Sequence, residues 1–117
     1  MTATALALAL ALSQSAPPVD IVVGDIGSRA FVLKTVGFEH SAEGGHTLRG
    51  WLCRRAPGMP LRRLAVIAED GGGHVIWRSV VAPPGFAPGR THECRVLRID
   101  VPAEVGSQTK LWRLEKP

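Results

Sequence analysis

No segment after residue 20 carries an apolar stripe at helical spacing, and several runs alternate apolar with polar positions. Residues 47–54 (TLRGWLCR) place Leu48, Gly50 and Leu52 on one face and Arg49, Trp51 and Cys53 on the other. That period of two is the signature of a half-buried strand. Residues 29–39 (RAFVLKTVGFE) read as a second strand, with Phe31, Leu33, Val36 and Phe38 as its inward candidates and Gly37 as a candidate bulge. Residues 63–68 and 74–81 flank Asp70-Gly71-Gly72-Gly73, and together they read as a β-hairpin whose turn needs positive φ. Shorter or later runs at 19–23, 91–101 and 108–114 complete the set. In the last of these, Lys110, Trp112 and Leu114 share a face.

Between these runs lie turn and breaker residues. Residues 24–28, 41–45 and 103–107 read as turns or loops, and 55–60 (RAPGMP) and 82–90 (APPGFAPGR) as rigid connectors. Turn signals every 8–12 residues or so predict an all-β sandwich or barrel. The Pro-rich connectors on both sides of the hairpin favour a sandwich, because there the chain would cross between sheets. The expected fold is an antiparallel, immunoglobulin-like or fibronectin-III-like β-sandwich of about six or seven strands.

The order of features from His46 to Pro102 resembles that of FxLYD-type domains and their immunoglobulin-like relatives among bacterial envelope β-sandwiches. Leu48-Arg49-Gly50-Trp51-Leu52 resembles their apolar strand with a central glycine. Asp70-Gly71-Gly72-Gly73-His74-Val75-Ile76 resembles their hairpin turn, and Pro88-Gly89 followed by Cys94-Arg95-Val96 their final strand. The resemblance spans about half of the chain. It implies a sandwich with an accessory, non-catalytic role outside the cytoplasm, and it carries no active site across.

The N-terminus is patterned differently. Residues 3–12 (ATALALALAL) form a small-apolar run of signal-peptide length, too short for a membrane-spanning helix of about 20 residues. Small residues alternate through Ser13-Gln14-Ser15-Ala16. Residues 1–16 are therefore expected to be a signal peptide and 17–117 a single sandwich domain, periplasmic or secreted. No lysine or arginine precedes the apolar run, which leaves an N-terminal helix of the fold as the alternative. No other segment is long and apolar enough to span a membrane.

Composition adds a charge asymmetry. The 117-residue chain carries a formal charge of +4, and the first 19 residues have no charged side chain. Between Arg49 and Arg98 lie nine arginines and three acids, a local +6. Such a field attracts phosphate, acidic polysaccharide or anionic lipid, although an Arg-rich surface also serves solubility alone. Arg54-Arg55 and Arg62-Arg63 bracket one Pro-rich loop at one end of the expected sandwich. These four are the candidate patch for an anion or a partner, because loops on a rigid scaffold carry recognition. Trp51 and Trp112 sit beside arginines and would form a stacking platform if they faced outward.

Other chemistry finds little support. Gly71-Gly72-Gly73 lacks the ending of a phosphate loop and precedes a strand. No serine has a nucleophile-elbow context. His92-Glu93-Cys94 lacks the Pro-Cys-x-x-Cys partner of a zinc deaminase, and spacing alone does not assemble a metal site from His92, Cys94 and Cys53. No catalytic residue, metal or cofactor is expected. The two cysteines, Cys53 and Cys94, fall on strands expected to be antiparallel neighbours. They form either a disulfide, permitted in an oxidising compartment, or two free thiols. The functional expectation is an exported, non-catalytic accessory module that binds or scaffolds another envelope component. The alternative is a polyanion-binding protein acting through Arg54, Arg55, Arg62 and Arg63.

Overall fold

The computed structural model describes residues 19–40, 45–86 and 92–117. The signal expected at 1–16 lies outside them. Seven strands run in the order β1 (Asp20–Val23), β2 (Phe31–His40), β3 (His46–Arg54), β4 (Leu64–Glu69), β5 (Val75–Val81), β6 (Cys94–Val101) and β7 (Leu111–Glu115). They form a four-stranded sheet, β1-β7-β4-β5, and a three-stranded sheet, β2-β3-β6. The expected all-β sandwich is the observed one. All pairings are antiparallel except that of β1 with β7, which is parallel. The β4–β5 hairpin belongs to the sheet opposite β3 and β6, so the chain leaves β3, turns through the hairpin and returns to pair with β3.

The alternation in the sequence becomes the two faces of each sheet. Leu48, Gly50 and Leu52 of β3, Leu97 and Ile99 of β6, and Phe31 and Leu33 of β2 turn inward. They meet Leu64, Val66 and Ala68 of β4 and Trp112 and Leu114 of β7 in one core. β4 is one of the two inner strands of its sheet and is buried along almost its whole length, which is why it reads as a continuous apolar run. Trp112 is fully buried and meets Phe38 and Trp77 ring to ring, which adds a small aromatic cluster to a largely aliphatic core.

Two irregularities follow from single residues. Between Lys34 and Gly37 the register of β2 slips against β3, and Thr35 takes φ 54°. This bulge presses Val36 over Gly50, where a Cβ would stand 2.9 Å from Val36 Cγ2. The central glycine of β3 is the accommodation for that bulge. At the hairpin, only Gly73 has positive φ (81°), and the other two glycines do not need it. Asp70 organises the rest: its Oδ1 accepts the Gly72 N–H at 2.9 Å and the His74 N–H at 3.0 Å.

Residues 103–107, expected as a turn, fall within a short helix, α1 (Ala103–Gln108). Six residues are too few to show a helical period in the sequence. The helix fits because Gly106 lies against the His46 ring, where a Cβ would come within 2.5 Å of His46 Cγ. Among the described residues, no helix is long and apolar enough to cross a membrane.

Candidate anion-binding site

The site is built at one end of the sandwich from three segments: the turn after β1, the loop 55–63 between β3 and β4, and the C-terminal residues. The loop is tied down before it can present anything. The Arg55 N–H donates to the Ala30 carbonyl and the Arg55 Nε–H to the Arg29 carbonyl, both at 2.8 Å. Arg54 donates from Nη2 to the Gly58 carbonyl at 3.3 Å, and its guanidinium lies 5.9 Å from the centroid of the Phe31 ring. Gly58 sits so close to Ala30 that a Cβ there would be 2.8 Å from the Ala30 Cβ. Pro57 and Pro60 restrict the remaining backbone.

The turn after β1 is fixed just as locally. Asp25 Oδ1 accepts the Gly27 N–H at 2.8 Å, and Asp25 Oδ2 lies 3.3 Å from Lys116 Nζ. The Gly27 N–H is the main cause, and Lys116 the second, of an Asp25 pKa below the usual carboxylate value. Gly27 needs its positive φ of 86° to make this turn. The Lys116 N–H closes the arrangement on the Asp25 carbonyl at 2.8 Å.

Between these segments lies an open cleft of about 710 Å³, lined among others by Arg29, Arg62, Arg63, Lys116 and Met59. Arg29, Arg62 and Arg63 are exposed, and among the described residues no carboxylate pairs with any of the three. Asp25, in the turn beside the cleft, is already engaged with Lys116. Three arginines with no carboxylate partner among the described residues therefore line one concavity. Their planar forks match the geometry of carboxylate, sulfate or phosphate groups.

The four sequence candidates thus divide by task. Arg62 and Arg63 line the cleft, whereas Arg54 and Arg55 shape the loop that forms it. Sequence reasoning did not single out Arg29 and Lys116. Both are distant in sequence from the dibasic pairs, and only the pairing of β1 with β7 brings the C-terminus beside the turn after β1.

Cys53 and Cys94 face each other in the β3–β6 register and form a disulfide, with their Cα atoms 4.0 Å apart. Both sulfurs are consumed in that bond, so neither is a thiolate for a metal. Among the described residues, no group of three or more His, Cys, Asp or Glu side chains is placed to hold a metal ion. The two candidate stacking tryptophans differ: Trp112 is core, whereas Trp51 is 45% exposed on the outer face of the three-stranded sheet. There it sits between Lys34 and Val96 in register, with Arg49 opposite Arg98 two positions along.

Neither a protein-family profile nor a curated protein nor a solved structure matches this chain.

Proposed function

We propose that this chain is an exported, non-catalytic module that holds an anionic component of the cell envelope in the cleft between the turn after β1 and the Pro-rich loop. The observation that carries this reading is the convergence of Arg29, Arg62 and Arg63, none of them paired with a carboxylate among the described residues, on a cleft of about 710 Å³. Cations of like charge brought together repel one another, and an anion relieves that repulsion. The loop that carries two of them is held by the hydrogen bonds of Arg54 and Arg55 and by prolines, so little ordering cost opposes binding. The disulfide is compatible with an oxidising compartment outside the cytoplasm, where such a module would work.

Retention on a heparin column tests the reading. Arg62→Ala/Arg63→Ala and Arg78→Ala/Arg98→Ala remove the same charge from different surfaces. The first pair is expected to elute at clearly lower salt than the wild type, and the second pair to stay close to it. Equal shifts for both pairs would reduce the effect to net charge and overturn the reading.

A further inference from the structure

The same end of the sandwich carries an apolar feature that a soluble polyanion would not need. Met59 is 77% exposed, the highest value among the exposed large hydrophobic residues. It stands in the sequence Pro57-Gly58-Met59-Pro60, on the loop that Arg54 and Arg55 clamp to the body of the domain. A flexible loop could fold its methionine inward. Here Gly58 is seated on Ala30, and the next residue is held out in solvent. Around it, Arg29, Arg62, Arg63 and Lys116 line the same cleft.

We infer that this loop docks onto the surface of an anionic lipid bilayer, with Met59 entering the boundary between headgroups and acyl chains and the surrounding cations meeting lipid phosphates. The inference rests on the anion-binding reading above and names the source of the anion. An apolar tip on the wall of a cationic cleft matches the layered chemistry of a bilayer interface, apolar beneath and negatively charged above. Arginine and lysine are suited to such a cleft because their stems lie along apolar material while the heads stay with the phosphates. Methionine is suited to the tip because its unbranched, polarisable chain packs against irregular partners. The proline-restrained backbone presents the tip already ordered.

Co-sedimentation of the full chain with vesicles tests the inference. Vesicles of phosphatidylcholine alone are compared with vesicles of phosphatidylcholine mixed with phosphatidylglycerol. The wild type is expected to pellet with the mixed vesicles and to stay in the supernatant with the neutral ones. Met59→Ser, on an exposed side chain, is expected to keep its fold and weaken partitioning roughly fivefold to tenfold. Arg62→Ala/Arg63→Ala is expected to weaken it roughly thirtyfold. Trp51→Ser on the sheet face is expected to leave it unchanged. A wild type that stays on heparin but ignores anionic vesicles overturns the bilayer inference and leaves the anion reading standing. Loss of both removes both. Equal partitioning of Met59→Ser and the wild type, or a loss caused by Trp51→Ser alone, also overturns the inference.

Discussion

Asp70 shows how a single side chain shapes this fold. Its carboxylate accepts the Gly72 and His74 N–H groups across the β4–β5 turn. The His74 N–H is the main reason that the Asp70 pKa lies below the usual carboxylate value, and slight burial works against it. A carboxylate with a depressed folded pKa stabilises the native state in full above its unfolded value of about 4. That contribution is lost as the pH falls through the folded pKa. Asp70→Ala is therefore expected to melt below the wild type at pH 7, and the gap is expected to close as thermal scans move toward pH 2. A gap that is the same at both ends would place the role of Asp70 elsewhere. The residue scale was partly legible in the sequence. The Asp-Gly-Gly-Gly run announces a turn, but only the folded backbone shows that Gly73 alone of the three uses positive φ while the Asp70 carboxylate holds Gly72 and His74. Gly50 was legible as a central glycine. Its cause, the overhanging bulge at Val36, was hidden, because a bulge is a relation between two strands.

At the scale of elements, alternation, short apolar runs and turn signals together marked all seven strands, and what they missed has physical causes. The helix Ala103–Gln108 escaped because it spans too few residues to repeat a period. The parallel pairing of β1 with β7 escaped because period two marks a strand without giving its direction. The β3–β6 pairing, by contrast, followed from the hairpin's belonging to the other sheet, and it brings Cys53 opposite Cys94. The bond closes a loop of sequence separation 41, which in the chain-entropy model stabilises by about 4 kcal/mol. Cys53→Ala/Cys94→Ala is therefore expected to shift the urea midpoint downward by that amount times the reciprocal of the m-value. The wild type with dithiothreitol is expected to follow it. A midpoint insensitive to reductant and to the double substitution would mean that the sheet needs no staple.

For the whole molecule, the charge pattern of the sequence pointed to the end of the sandwich that holds the cleft, but to only part of its lining. Arg62 and Arg63 were visible as a dibasic pair, whereas Arg29 and Lys116 join them only through the meeting of the first turn and the C-terminus. The sequence patch also treated Arg54 and Arg55 as equals of Arg62 and Arg63, because side-chain tasks such as binding a carbonyl or stacking on Phe31 leave no trace in composition. The basic surface of this protein is thus divided between arginines that build the loop and arginines that the loop presents. The competing basic surface is the outer face of the three-stranded sheet, where Arg49 and Arg98 lie opposite each other near Trp51. The two surfaces separate cleanly in a titration of isotopically labelled protein with a heparin oligosaccharide, followed by amide chemical shifts. The largest shifts are expected to fall on Gly27 to Ala30, Gly58 to Arg63 and Lys116. Shifts concentrated on Lys34, Arg49, Trp51 and Arg98 instead, or spread evenly over every arginine, would contradict this expectation.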